Sequence, residues 1–123
     1  MKLNFWGTRG GIATPSSHVV ELGGNTTCLQ LTLDNGNDLL IDAGTGIIEY
    51  ATSGIAKNHN HEFHILFTHF HWDHVQGFPF FFPIHFPESK IHIYSPFPKE
   101  MLYQHLSDLF DGTYSPLKNI NNL

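Results

Sequence analysis

The chain has 123 residues, of which 41% are hydrophobic, and it contains one cysteine, Cys28. This length and composition favour one folded domain with a moderate core and argue against a disordered chain. The formal net charge of −5 provides no basic surface for nucleic acid, so a nucleic-acid substrate is unsupported. A single cysteine excludes an intramolecular disulfide and fits a reducing compartment.

The sequence gives no sign of a targeting or membrane-spanning segment. Residues 1–7 lack the long apolar region of a signal peptide. The longest apolar stretch, residues 78–86, is interrupted by Pro79, Pro83 and His85 and is too short to cross a bilayer. We therefore expect a single domain over residues 1–123, located in the cytoplasm and not attached to a membrane.

Residues 27–41 predict two antiparallel strands joined by a tight turn. Leu29, Leu31 and Leu33 alternate with smaller or polar residues, which predicts a strand whose leucine face is buried. Asn35-Gly36 then separates this strand from a second apolar run, and both residue types tolerate the positive φ angles of a hairpin turn.

The remaining segments predict further strands and short helices around this hairpin. We expect strands over residues 2–6, 63–68 and 90–95, a helix over 47–56, and a helix that opens at Pro98 and ends at Asp111-Gly112. The phenylalanines of residues 78–86 are expected mainly in the core. His59 and His61 are spaced like metal ligands, but a solvated connection is the better interpretation. The residues expected on the buried face of the last helix are Met101, Leu102, His105, Leu106, Leu109 and Phe110.

Three histidines and an aspartate fall within six positions directly after the strand predicted over 63–68. His69 and His71 are two positions apart, which in extended chain points both side chains the same way. Asp73 and His74 follow, and a turn there would bring all four donors together. Imidazole and carboxylate donors without thiolate suit zinc, manganese or iron, and suit a catalytic site better than a closed structural one. The alternative is that Asp73 caps a helix starting at His74 and that the histidines are surface residues.

Asp42 lies where the second hairpin strand meets a glycine turn. Its carboxylate could orient a metal ligand from behind. It could equally bond the backbone amides of the turn. Spacing alone does not choose between these two roles.

Four segments together resemble one known family. Residues 68–74, Thr-His-Phe-His-Trp-Asp-His, resemble the signature of the metallo-β-lactamase superfamily, and residues 40–44 resemble its preceding strand with an aspartate. Residues 6–10 and 23–28 resemble a bacterial and archaeal hydrolase branch of that superfamily. This branch is close to the phosphodiesterases and the transfer-RNA 3′-end processing nucleases. The resemblance extends from the N-terminus to about Tyr94.

The resemblance implies an α+β fold, the four-layer αββα sandwich, represented here by its N-terminal half: one mainly antiparallel sheet with flanking helices. It implies a centre of two divalent ions, most simply zinc, with manganese or iron as alternatives. His69 and His71 would hold the first ion and Asp73 and His74 the second, with Asp42 as the structural aspartate beside them. The implied reaction is hydrolysis of a small-molecule or nucleotide phosphodiester by metal-bound hydroxide, with Asp73 as the catalytic residue that orients the water or accepts its proton.

The chain departs from this family after His74. The family requires another histidine, a carboxylate bridging the two ions and a last histidine, whereas His85, His92 and His105 stand in other sequence contexts. Two alternatives therefore stay open: a metal-binding module without catalysis, and an inactive fragment that needs a partner. That partner would be a second copy of the chain or a complementary C-terminal half. Lactams, thioesters and lactones also remain possible substrates.

Overall fold

The structure is a computed structural model that describes residues 1–54, 61–113 and 115. Its fold is α+β: within the described residues, one open five-stranded sheet is accompanied by three α-helices and several short 3₁₀ segments. The strands are β1 (Lys2–Gly7), β2 (Cys28–Thr32), β3 (Asp38–Ile41), β4 (Glu62–Leu66) and β5 (Lys90–Tyr94), and the helices are α1 (Gly46–Thr52), α2 (Trp72–Val75) and α3 (Lys99–Leu109).

The sheet is mixed, which corrects the expectation of a mainly antiparallel sheet. Its strands lie in sequence order. The pairs β1–β2 and β2–β3 are antiparallel, and the pairs β3–β4 and β4–β5 are parallel. The parallel pairs arise because α1 lies between β3 and β4 in the chain, and α2 with two 3₁₀ segments lies between β4 and β5. Parallel neighbours require such crossover connections. Alternation within a strand does not reveal the direction of its partner.

The predicted hairpin between β2 and β3 is confirmed. Gly36 has a φ of 85°, and its amide donates to the carbonyl of Leu33 at 2.9 Å. The amide of Leu33 donates to the carbonyl of Asn37 at 2.8 Å, which closes the turn. The pairing of Leu31 with Leu39 follows from this register.

One face of the sheet is covered and forms the core. Cys28, Leu40 and Ile65 are buried there. They belong to a continuous apolar cluster to which α1 contributes Ile47, Tyr50 and Ala51, the 3₁₀ region Phe78, Phe81 and Ile84, and the last helical region Leu106 and Phe110.

Polar residues on the covered face are hydrogen-bonded to one another. The Gln30 amide donates to Asp38 Oδ2 at 2.6 Å and accepts from the Trp6 indole at 2.9 Å. Thr32 donates to Asp38 Oδ1 at 2.6 Å, and the Tyr50 hydroxyl lies 3.4 Å from Asp38 Oδ2. Because buried polar groups cost free energy unless they are paired, this network explains how Gln30 and Asp38 are buried between the sheet and α1.

The leucine face of β2 is not the buried face, so that prediction is wrong. Leu29 and Leu31 are only half-buried and Leu33 is exposed, whereas Cys28 and Gln30 on the other face are buried. Alternation identifies two faces, but which face the helices cover is decided by the rest of the fold. We call the uncovered side the open face; its side chains, identified from the strand register, are Leu3, Phe5, Leu29, Leu31, Leu39, Ile41, Glu62, His64, Leu66, Lys90, His92 and Tyr94.

Several other expectations are corrected in detail. Helix α3 buries Leu106, and Phe110 is buried just after it, but Met101 is 45% exposed. Phe78 and Phe81 are core residues, while the remaining phenylalanines of that stretch, Phe80, Phe82 and Phe86, are exposed. Helix α1 ends at Thr52. The expected end of that helix at residue 56 and the interpretation of His59 lie outside the described residues, whereas His61 is exposed as expected.

None of the helices in the described parts of the chain is both long enough and apolar enough to cross a membrane.

The burial difference between the two faces predicts unequal costs of truncation. Leu40→Ala should lower the free energy of unfolding by about 2–5 kcal/mol, because it leaves a cavity in the core. Leu31→Ala should cost clearly less, since that side chain is already partly in contact with water. Urea denaturation of both variants compares the two values. Equal costs would contradict the assignment of the open face.

Candidate metal site

The four donors of the histidine motif are positioned at the carboxyl ends of two neighbouring parallel strands. Ile41 at the end of β3 pairs with Leu66 at the end of β4. Beyond that pair, the amide of Asp42 donates to the carbonyl of Leu66 at 2.8 Å. The loops that follow the two strands therefore begin side by side, as is usual for ligand sites in parallel sheets.

Asp42 connects these two loops through its carboxylate. Oδ1 accepts from the Thr68 amide at 2.8 Å, and both carboxylate oxygens lie within 3.0 Å of the Thr68 hydroxyl. Oδ2 lies 2.8 Å from His74 Nδ1. Asp42 is 2% exposed and has a φ of 62°, a left-handed conformation that aspartate tolerates better than most residues.

This geometry bears on the two roles left open for Asp42. The glycine turn bonds elsewhere: the Gly44 amide donates to the carbonyl of Thr27, and the Gly46 amide to that of Thr26. The carboxylate of Asp42 instead contacts a histidine ring and the start of the motif loop. A carboxylate behind an imidazole fixes both its tautomer and its orientation, as is common for metal-bound histidines.

The rings of the three motif histidines lie against one another. The centroid of His69 is 4.5 Å from that of His71 and 4.1 Å from that of His74. The strand ends at Leu66, so the histidines come from a loop and from α2 rather than from extended chain. His69 Nδ1 lies 3.0 Å from the Thr68 hydroxyl, which leaves its Nε2 for another partner.

Asp73 is inside α2 and does not cap a helix that starts at His74. The helix begins at Trp72 with His71 at the N-cap position. Asp73 Oδ2 accepts a hydrogen bond from the Gly11 amide at 2.9 Å and lies 3.6 Å from His74 Nε2. The Gly11 amide, more than the neighbouring histidines, holds the pKa of the Asp73 carboxyl below its usual value. Asp73 is therefore ionised at neutral pH, the form that binds a cation.

Two glycines allow α2 to approach the loop after β3. A Cβ atom at Gly44 would lie 2.4 Å from the Asp73 carbonyl, and one at Gly77 would lie 2.1 Å from the Gly44 carbonyl. Two backbone hydrogen bonds join the same segments, from Ala43 to the His74 carbonyl and from Gly77 to the Ala43 carbonyl. The motif helix is thus held against residues 42–44 by backbone contacts that side chains would prevent.

The donor set fits a divalent transition metal in chemistry. Imidazole nitrogens and one ionised carboxylate are ligands for zinc, manganese and iron. His74, with Nδ1 at Asp42, presents Nε2 towards Asp73. A closer group of donors lies on the open face. Within residues 1–54, 61–113 and 115, Glu62, His64 and His92 are the residues whose ligand atoms all lie within 4.8 Å of one another. A shared ion at the motif would require its side chains to draw closer.

The group on the open face was not identified from the sequence. Glu62 and His64 are two positions apart, as are His69 and His71. On β4 this spacing is the feature of the sequence that could have indicated the group. The contribution of His92 depends on the parallel register of β4 and β5, which the sequence does not show.

No protein-family model, curated protein or solved structure matches this chain.

The hydrogen bonds of Asp42 predict a graded response to substitution. Asp42→Ala should cost about 2–5 kcal/mol of unfolding free energy, because it leaves the Thr68 amide without its acceptor and keeps a strained φ. Asp42→Asn should cost less, since asparagine retains an acceptor and tolerates positive φ. The exposed Asp108→Asn change on α3 is the matched control and should stay within about 0.5 kcal/mol of wild type.

Thermal and urea melts of these three variants measure the loss of unfolding free energy. A fourth variant, Asp42→Gly, separates the effect of the lost carboxylate from the effect of the strained φ. Glycine removes the same carboxylate but relieves the left-handed backbone, so it should be more stable than Asp42→Ala by about 1 kcal/mol. If Asp42→Ala melts like wild type, the carboxylate does not join the two loops.

The close approach at Gly44 predicts a second effect on the motif. Gly44→Ala should cost about 1–3 kcal/mol or more, because the new methyl group meets the backbone of Asp73 and the Thr26 hydroxyl. Gly10→Ala is the control, since a Cβ atom there would have its nearest contact at 3.9 Å, with Asp73 Oδ2. Denaturation midpoints compare the two alanine variants. A Gly44→Ala protein as stable as Gly10→Ala would show that α2 does not pack as described.

Proposed function

We propose that this chain is the N-terminal half of a metallo-β-lactamase-type αββα hydrolase, that it acts in the cytoplasm, and that it carries part of a divalent metal centre for phosphodiester hydrolysis. The observation that carries the proposal is the contact between Asp42 and His74. It places a carboxylate behind His74, whose ring lies 4.1 Å from that of His69 between centroids and whose Nε2 lies 3.6 Å from Asp73 Oδ2.

The proposed ligands are divided between two ions as the family resemblance implies. His69 and His71 would hold one ion, and Asp73 and His74 the other. Bound divalent ions would lower the pKa of a water molecule and would stabilise negative charge on phosphoryl oxygens.

The protein's own residues have separate roles in this proposal. Asp42 would accept a hydrogen bond from Nδ1–H of His74, which would leave Nε2 as the nitrogen with a free lone pair. Asp73, kept ionised by the Gly11 amide, would orient the attacking water or accept its proton. Thr68 fixes the start of the loop that carries His69 and His71.

The phosphodiester substrate is proposed from the segments at residues 6–10 and 23–28, and both border the site. Arg9 and Thr26 join the two segments through an isolated backbone β-bridge. Gly11, directly after the first segment, contacts Asp73, and Gln76 donates to the Thr26 hydroxyl at 3.1 Å. The two segments that resemble the hydrolase branch would therefore border the same metal centre as the motif.

A metal-binding module without catalysis is the second candidate, and the small number of donors in the motif favours it. Four donors shared by two ions give each ion two protein ligands, whereas a catalytic zinc normally has three and a water. The open face leaves apolar side chains such as Leu3, at 47% exposure, and Phe5, at 64%, in contact with solvent. A second copy of the chain or a complementary C-terminal half would cover them. We therefore expect at most weak catalysis by the chain alone.

Metal binding tests the motif. The double variant His69→Ala/His71→Ala should lose the zinc bound by the motif, measured by metal analysis after dialysis and by calorimetric titration. The matched control is His18→Ala/His85→Ala, which changes two exposed histidines. The control should bind zinc as wild type does. An unchanged zinc stoichiometry in the His69/His71 variant would remove the basis for the proposal.

Turnover tests catalysis separately. The isolated chain with zinc or manganese should hydrolyse a chromogenic phosphodiester weakly, and a chelator should abolish the reaction. Zinc binding without any turnover would favour the non-catalytic module. Robust, chelator-sensitive turnover by a monomer would contradict the expectation that four donors are insufficient.

A further inference from the structure

A second group of metal-ligating side chains lies on the open face, away from the motif. The ligand atoms of Glu62, His64 and His92 all lie within 4.8 Å of one another. Glu62 and His64 belong to the beginning and middle of β4, whereas the motif follows the end of that strand. The two groups of donors thus occupy different parts of the molecule.

The strand geometry brings these three residues together. Glu62 and His64 are two positions apart on β4 and therefore share a face. The parallel register pairs His64 with His92 on β5, and their rings stack with centroids 4.6 Å apart. Glu62 Oε1 reaches diagonally to His92 Nε2 at 2.7 Å. The backbone of two adjacent strands fixes the spacing, so little order has to be gained when a ligand binds.

The surroundings of His64 also suit a metal ligand. The Tyr94 hydroxyl, on the same face, lies 2.9 Å from His64 Nδ1. A polar group at one ring nitrogen orients the ring and leaves the other nitrogen for the metal, as at many metal-bound histidines. Tyr94 is thus placed to orient the His64 ring as a metal ligand.

The distances are compatible with a tetrahedral ion after small side-chain movements. With bonds of about 2.0–2.2 Å, ligand atoms around zinc are about 3.3–3.5 Å apart. The widest separation among the present donors must close by roughly 1.5 Å at most to reach that spacing, whereas Glu62 Oε1 and His92 Nε2, now 2.7 Å apart, must separate by about 0.6 Å. The side chains of His92 and Glu62 are 43% and 49% exposed, so they have room to move and an ion can enter from solvent.

We propose that Glu62, His64 and His92 form a second divalent metal site, which binds zinc or a similar transition-metal ion through two imidazoles and one carboxylate. The remaining position is open to water. By joining β4 to β5, the edge strand of the sheet, the ion would tie that strand in place. This site does not depend on the proposed hydrolytic function.

The test uses zinc alone as the probe, with both proposed ligand pairs of the motif removed by the His69→Ala/His71→Ala/Asp73→Ala changes. Calorimetric titration of this variant should still show one zinc site per chain. Adding His92→Ala or Glu62→Gln should weaken its affinity by about tenfold or more, since loss of a ligand should exceed the effect of losing a group that only orients one. His85→Ala, an exposed histidine outside the group, is the matched control and should leave the affinity unchanged.

A measurement on the unmodified chain guards against misfolding of the variants. Zinc should shift the imidazole NMR signals of His64 and His92, assigned through the single variants, and His85 should not shift. If zinc leaves the His64 and His92 signals unchanged, the group is only an ion pair beside stacked rings, and the proposal fails. The proposal also fails if zinc binding in the motif-free variant is insensitive to both His92→Ala and Glu62→Gln. Failure of the motif site would instead appear as unchanged zinc stoichiometry on removal of His69 and His71.

Discussion

The arrangement of the motif depends on one buried carboxylate. Asp42 contacts the first residue of the motif loop and the last histidine of the motif at once, across 26 and 32 positions of sequence. It does so from a left-handed backbone conformation that turns the chain away from β3. Because Asp42 is almost completely buried, its charge is stabilised only while these partners are in place. The precise position of His74 is thus coupled to the integrity of the sheet.

The two faces of the sheet reverse the usual distribution of polar and apolar residues on β2. Gln30 is buried beneath α1 within a hydrogen-bonded network, while Leu29 and Leu31 stand on the open face. A polar network inside a small core is stable only if its members stay paired. An apolar face in contact with water favours association.

Local signals in the sequence predicted local structure well. The hairpin turn forms at Asn35-Gly36 because local features suffice: Gly36 takes the positive φ, and short-range backbone bonds between residues 33 and 37 close the turn. The buried face of β2 and the direction of β4 were not predictable, since they depend on helices far along the chain. For the candidate site, the sequence predicts His69, His71, Asp73 and His74 as donors, but it does not predict the contact of Asp73 with Gly11. The group of Glu62, His64 and His92 was missed because it requires a register between strands that no residue pattern encodes.

The hydrogen bond from Gly11 to Asp73 spans 62 positions and has a consequence for the order of folding. A contact between distant parts of a chain requires the loop between them to close, and the entropy of closure is lost before the contact can stabilise the fold. The hairpin of β2 and β3 can form early, whereas Asp73 acquires its amide partner only after the N-terminal strand has paired with β2 and carried residues 9–11 to the motif. Asp73 is therefore expected to be the last acidic group of the motif to become ordered, so a chain that has collapsed but not yet docked its N-terminal segment would present the motif histidines beside an Asp73 carboxylate that is not yet held in place.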